Sequence, residues 1–364
     1  MVRGGRNPVR GRRVSGAPAG PDPRRAAAAV IDEALGYLYP AALRAAAEVG
    51  VADHLAGGPR AAAELAELTG TDADNLFRVL RLLATRGLFE QDERGRFRLT
   101  EAGDALRTDA PVSARSAVLM LTDPTMWRPA GEMARCLTGG GSAFDAIFGV
   151  PFFEHFARDA PTAAVFHDGM AAFSETENAP IAACCDFPPN AVVVDVGGGH
   201  GGFLAAVLLA RPDLKGVLHD EGHVLAGHRL DVDGTRGRWS TAEGDFFAAV
   251  PPGDVHVLKR ILHDWTDDQC ATVLRNCRRA LRPGGRVLVI DAVLPPGDVP
   301  HQGKALDLMM MASLVGRERT EEDFRALFAS AGLRLTRVVP TPTVLSVVEA
   351  VVDGPADEPG GTPR

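Results

Sequence analysis

Cysteine is scarce in this chain and follows no pattern: Cys136, Cys184, Cys185, Cys270 and Cys277 are the only five in 364 residues. The number is odd, Cys184 adjoins Cys185, and Cys270 and Cys277 fall seven apart in what reads as one helix. That argues against a disulfide framework and against metal-ligand spacing; reduced thiols in a cytoplasmic protein are expected. Long apolar runs are missing as well. No stretch approaches the roughly 18–20 residues a membrane helix needs, so no membrane partner is expected. The opening "MVRGGRNPVRGRRVSGAPAGPDPRR" has seven arginines and many Gly and Pro but lacks the apolar core of a secretory signal. It reads as a disordered tail over residues 1–25, the alternative being a polyanion-binding arm. A second tail, "DGPADEPGGTPR", covers residues 353–364.

Excess positive charge is also lacking, for the whole chain carries a formal −8. This matters for "AAAELAELTGTDADNLFRVLRLLATRGLFEQDERGRFRLTEAGDAL", which reads as helix, turn at Thr69–Gly70, helix capped by Thr71 or Asp72, and hairpin around Arg94–Gly95. That is a winged-helix pattern, placed in a domain over residues 26–107. A DNA reader wants a basic recognition helix. From Arg60 to Arg107 there are eight Arg, no Lys, and nine Asp plus Glu, and the second helix spends its faces on Leu76, Phe77, Val79, Leu80, Leu82 and Leu83. Oligomerisation or lid duty is therefore favoured, and no nucleic-acid partner is expected. The apolar excess from Val30 to Leu55 points the same way, toward another subunit.

Residues 108–187 read as connecting helices. Phe152, Phe153, Phe156, Phe166, Met170 and Phe173 stand there at helical spacing, as packed core or as the wall of an apolar pocket. From residue 188 to 352 the pattern alternates: "AVVVDVG", "KGVLHD", "RWSTAEGDF", "VHVLKRI" and "RVLVIDAVL" are strands with helices between them, which predicts a parallel sheet covered on both faces. "LRLTRVVPT" and "LSVVEAVV" lie close enough in sequence to pair antiparallel at the end.

The loop "VVDVGGGHGGF" puts Gly197, Gly199 and Gly202 between the first of these strands and its helix, where backbone without Cβ admits a nucleotide. The spacing also satisfies the dinucleotide pattern GxGxxG, and Asp220 at the end of the second strand would hold a ribose in either case. Asp195 decides against a dinucleotide, because a carboxylate at that strand tip repels a pyrophosphate and suits an ammonium and a sulfonium. Asp245 and Phe246 in "EGDFF" offer an amine partner and a ring face for adenine. S-adenosylmethionine (SAM) fits these residues better than NAD.

The segment "VLKRILHDWTDDQC" ends a strand in His263, Asp264 and Trp265. Taken alone, such a His is a loop or cap residue. Together with "VVDVGGGHGGF", "GDFF", "NCRRALRPGGRVLVIDAVLP" and "GRERTEEDF", it makes the chain resemble the caffeic-acid-type small-molecule O-methyltransferases, in the bacterial secondary-metabolism branch that acts on aromatic polyketides and phenols. The resemblance covers about Val30 to Val352. It implies a Rossmann-like α/β SAM-dependent methyltransferase sheet, mostly parallel with an antiparallel last strand, behind a mainly helical winged-helix dimerisation domain that forms a homodimer. It implies cofactor contacts from Gly197, Gly199, Asp220, Asp245, Phe246, Lys259 (to the SAM carboxylate) and Trp265, beside the ammonium reading of Asp195. His263 would be the general base flanked by Asp291 and Glu318, with Met170, Met309 and Ser313 lining the pocket of a small phenolic or hydroxylated acceptor. No metal is expected. Alternatives are a non-methylating hydroxylase or decarboxylase of the same fold and a winged-helix ligand-sensing regulator. Two departures stand out: "HDEGHV" replaces the family's "FDLPHV", and Asp291 is shorter than the usual Glu.

Overall fold

The computed structural model describes residues 22–139 and 141–354; most of the Arg-rich leader and of the C-terminal tail lies outside the described residues. Order begins earlier than the expected boundary at residue 26. Asp22 accepts a hydrogen bond from Arg24 N and caps a helix over Pro23–Leu35, with proline in the first turn where no N–H is missed. None of that helix is buried, and Val30, Ile31 and Leu35 are 70%, 61% and 53% exposed.

The expected helix, turn, helix and hairpin stand in order. Helix Ala62–Thr69 ends at Gly70 with φ 67°, and Asp72 caps helix Ala73–Ala84 through Asn75 N. Strands β1 (Phe89–Gln91) and β2 (Phe97–Leu99) pair antiparallel around Gly95, φ 77°. Leu65, Leu76, Leu80, Leu83, Phe89 and Phe97 bury the apolar faces of these elements in one core.

Seven helices follow among the described residues, the last running over Ala160–Cys184. It packs so tightly on helix Arg115–Leu121 that a Cβ on Gly169 would meet Met120 Cγ at 2.8 Å. Phe152 and Phe156 join Phe144 and Met126 in a separate small core, with Phe166 against it, so most of the phenylalanine stripe is packing.

The remaining strands are β3 (Val192–Val196), β4 (Lys215–Asp220), β5 (Trp239–Glu243), β6 (Gly253–Lys259), β7 (Leu281–Asp291), β8 (Val293–Leu294), β9 (Arg319–Thr320), β10 (Leu333–Pro340) and β11 (Ser346–Val352). Seven form one sheet in the order β10-β11-β7-β6-β3-β4-β5. From β7 to β5 the pairs are parallel, whereas β11 runs antiparallel to both β7 and β10. Hydrophobic clusters cover both faces, as the continuous apolar strands require. The five parallel strands end on one edge, where open sheets of this kind bind ligands. Among the described residues no helix is long and apolar enough to cross a membrane.

Candidate active site

The carboxyl edge of the parallel strands gathers the expected cofactor residues. Asp195 lies in β3 and is 1% exposed; neither carboxylate oxygen has a hydrogen-bond partner among the described residues. Burial pushes its pKa up to about 7, with the nearby Lys259 pulling it back down. Such a carboxylate fits a ligand that brings a cation. The glycine loop after β3 is built for close approach. Gly197, at φ 68°, has no room for a Cβ, which would meet Ile261 Cδ1 at 2.7 Å, and one on Gly198 would lie 2.5 Å from Asp195 Cγ. Gly199 is also left-handed, at φ 58°, and its N–H donates to Asp220 Oδ2 at 2.8 Å. Asp220, expected to hold the ribose, therefore braces the loop. The residues present fit SAM: a buried carboxyl without a partner among the described residues, a glycine-rich loop open to close approach, and an acid that braces it.

Beyond β5, Asp245 Oδ1 accepts from Phe247 N at 2.7 Å, and Asn276 Nδ2 donates to the carbonyls of Phe246 and Phe247 at 2.8 Å each. Trp265 packs edge-on to Phe247 (ring centroids 4.9 Å) and Phe246 (6.2 Å), and Phe153 stacks on it at 5.7 Å. Lys259, expected to meet the SAM carboxylate, has an acidic partner within the chain. Its Nζ lies 3.5 Å from Glu177 Oε2, and burial draws its pKa down to about 8 against the pull of Glu177. Glu177 also takes two hydrogen bonds from Arg260, at 2.7 and 3.2 Å. Arg260 pays for its left-handed φ of 56° with that pair and with Phe173, whose ring lies 4.6 Å from the guanidinium carbon.

His263 follows β6 in a single 3-10 turn, Leu262–Asp264, just before Thr266 and Gln269 form a capping box on helix Asp267–Ala280. Its ring is buried. Nδ1 lies 2.9 Å from Glu318 Oε1, and Nε2 lies 3.5 Å from Asp264 Oδ1. Of the two carboxylates expected to flank the ring, Glu318 makes the hydrogen bond; Asp291, at the end of β7, acts on it through charge and has both oxygens buried without partners among the described residues. Burial alone would lower the pKa of His263, but Asp264, Glu318 and Asp291 outweigh it and hold the ring up to about 9. Burial in turn raises Asp264 to about 6, offset by His263, and raises Asp291. Asp264 is thus part of the charged cluster around His263.

Met170 and Met309 are half-buried and Ser313 is buried, its Oγ without a partner among the described residues. None of the three lines the cavity of about 550 Å³ that borders Glu318, which belongs to Asp307, Met311, Leu314 and Arg317. Two residues inside "GRERTEEDF" hold the His263 turn in place. Arg319, 1% exposed, donates to Leu262 O (2.7 Å), Trp265 O (3.1 Å) and twice to Asp267 Oδ1 (3.0 and 2.8 Å). A Cβ on Gly316 would overlap His263 O and come within 2.6 Å of Trp265 N. Glu177, Arg319 and Gly316 were not singled out from sequence, although the last two sit in a quoted motif.

Comparison with known proteins settles the family. Residues 131–334 match the O-methyltransferase domain and residues 31–109 the O-methyltransferase dimerisation domain. The chain belongs to the O-methyltransferase family. This methyltransferase is 39% identical over 318 residues to the phenazine O-methyltransferase PhzM of Lysobacter antibioticus, covering 86% of this chain and 93% of the relative. It is also 39% identical to the 2,7-dihydroxy-5-methyl-1-naphthoate 7-O-methyltransferase of Streptomyces carzinostaticus, over 85% of this chain and 93% of that one. Among solved structures it matches CalO1, a methyltransferase in calicheamicin biosynthesis in its SAH-bound form, with TM-score 0.86 and 50% identity over 91% of this chain and 99% of CalO1. The methyltransferase is a SAM-dependent enzyme of secondary metabolism, and its mostly parallel sheet behind a helical N-terminal domain is that of the family.

Proposed function

We propose that the enzyme methylates a phenolic hydroxyl of a small aromatic secondary metabolite, with His263 as general base oriented by Glu318. The observation that carries this reading is the buried His263 Nδ1–Glu318 Oε1 pair, 2.9 Å long, beside the edge where Asp195, Asp220 and Asp245 converge. SAM supplies, when bound, a methyl group already activated by its sulfonium. Asp195 would take the ammonium, Gly197 and Gly199 the methionyl side, Asp220 the ribose, Asp245 and Phe246 the adenine with Trp265 packed near it. Lys259, tied to Glu177, would face the carboxylate end.

A phenol of pKa about 10 is mostly protonated at neutral pH, so the chain must align the oxygen and take its proton. With Glu318 accepting from Nδ1, that hydrogen is fixed and Nε2 becomes the basic nitrogen. The acid-lined surroundings hold a second proton on the ring up to about pH 9, and a cation brought into the same buried space lowers that value. Cofactor binding and readiness of the base are linked in this way. Met170, Met309 and the partnerless Ser313 hydroxyl would face the acceptor.

The exposed apolar residues of helix Pro23–Leu35, within a chain matching the dimerisation domain, support a homodimer. A cytoplasmic location agrees with five free thiols. The test is transfer of labelled methyl from SAM to a panel of phenols and naphthoates, with His263→Ala in parallel. A loss of about 10²- to 10⁴-fold in the variant supports the base. Equal rates would discard it and keep the methyltransferase, while SAM binding without transfer to any phenol would favour a non-methylating enzyme of this fold.

A further inference from the structure

His219 stands where the family usually has an apolar residue, and its surroundings give it a task. It sits in β4 directly before Asp220 and is 3% exposed. Its ring reaches across to β5 and beyond: Nδ1 lies 2.8 Å from Ala242 O, and Nε2 lies 3.1 Å from Ala249 O. Those carbonyls bracket the segment that carries Asp245 and Phe246. The backbone of the same dipeptide holds both sides of the site. His219 O accepts from Gly197 N at 2.8 Å, and Asp220 O accepts from Gly244 N at 3.1 Å.

The neighbouring glycines make room for this arrangement. A Cβ on Gly244 would come within 2.9 Å of His219 Cε1, and one on Gly222 would lie 2.6 Å from Glu243 Cδ. Gly222, in the segment "HDEGHV", leaves room for the Glu243 carboxyl group at the end of β5. His256 from β6 lends a further hold, with Nε2 2.8 Å from Pro251 O. Asn276, already seen on the carbonyls of Phe246 and Phe247, completes it. The segment after β5 has little regular structure of its own, so its carbonyls are satisfied by side chains from three neighbouring elements.

We propose that His219 is a positioning residue for the nucleoside half of the cofactor, clamping the Gly244–Pro251 segment against the glycine loop through its bond to Ala249 O. Both of its partners are carbonyls and can only accept; a neutral ring carries one N–H and donates to one of them, and only the protonated ring donates to both at once. A phenylalanine fills the space and donates to neither.

This inference rests on the reading of Asp245 and Phe246 as the adenine wall, and the experiment separates the two. Calorimetric binding of S-adenosylhomocysteine and of 5′-methylthioadenosine, which keeps the nucleoside and lacks the amino-acid end, is measured on the full-length protein. The variants are His219→Phe, His219→Gln, His219→Asn and Asp245→Ala. His219→Phe should weaken both ligands about tenfold, the worth of one well-buried hydrogen bond. Glutamine, whose amide nitrogen reproduces Nε2, should restore both to within about threefold; asparagine, which reproduces Nδ1, should not. An affinity in His219→Phe close to wild type overturns the proposal, as does a loss that glutamine fails to restore. If His219→Phe does not fold, the glutamine–asparagine contrast decides alone, and equal affinities overturn it. If Asp245→Ala leaves both ligands unaffected, the adenine wall is what fails; if it weakens them while the His219 variants do not, only the clamp falls.

Discussion

Gly316 lies flat against the peptide that follows His263: an added methyl would overlap His263 O and approach Asp264 C within 2.5 Å. These are backbone atoms with no rotamer to give way. The glycine is required by the neighbouring segment, and it is the reason Glu318 can come within hydrogen-bond reach of the ring.

Replacing that glycine should therefore damage catalysis more than affinity for the cofactor. Gly316→Ala is expected to lose about 10²-fold in methyl transfer, since displacing a catalytic group by about 1 Å costs that much. Affinity for S-adenosylhomocysteine should change little. Steady-state rates and calorimetry on the same preparation check this, and an alanine variant with wild-type turnover would refute the packing argument.

The pH dependence follows from the charge around His263. A base must be unprotonated, so with a pKa of about 9 in the ligand-free enzyme the kcat/KM for SAM should rise with pH through the alkaline range. Glu318→Gln removes one anion and keeps the shape; its profile should shift to lower pH while its maximum falls. For stability the sign is opposite. The raised pKa of His263 contributes stability that is complete below its unfolded value near 6.5 and is lost as pH rises through about 9. A flat kcat/KM profile between pH 7 and 9.5 would remove His263 from the proton transfer.

Asp195 offers a case where binding and stability oppose each other. Its folded pKa is raised from 3.8 to about 7, so the ligand-free protein loses stability as pH rises through that interval and carries the whole penalty above about 7. Asp195→Asn should raise the melting temperature of the ligand-free enzyme at pH 8. The same variant should bind S-adenosylhomocysteine about 10- to 100-fold more weakly, having lost a charged partner for the ammonium. Thermal melts with and without ligand would show the crossing; lower stability in the ligand-free variant would mean the buried carboxylate is satisfied in some other way.

Arg319 is the largest fully buried side chain of the described residues, and its four bonds to Leu262, Trp265 and Asp267 define the turn around His263. Lysine cannot reproduce that fork. Arg319→Lys is expected to cost about 2–4 kcal/mol in urea unfolding, because buried carbonyls lose their donors. Unfolding midpoints within error of wild type would contradict it.

Much of the fold was legible because its signals are local. The alternation from "AVVVDVG" onward and the turns at Gly70 and Gly95 each report on a few adjacent residues, and the antiparallel end pair followed from proximity along the chain. The site was legible only in part. Asp195 and the glycine loop declare themselves at a strand tip. Glu318, by contrast, was assigned by resemblance, and the choice between it and Asp291 depended on which side chain reaches Nδ1. Gly316, although inside a quoted motif, and Glu177 were not singled out, since the need for each is imposed by a segment distant in sequence: the backbone at His263 in one case, Lys259 and Arg260 in the other. The leader's three last residues were misplaced because Asp22 and Pro23 make a helix start inside an Arg-rich stretch.

The 25-residue helix Ala160–Cys184 carries Met170 toward the proposed acceptor wall and Glu177, two turns on, into the Lys259–Arg260 pair. A rod of that stiffness transmits a shift at one end to the other. Under the proposed roles of Met170 and Lys259, retuning acceptor choice by substituting this wall alters the grip on the methyl donor as well, and the two properties do not evolve as separate modules.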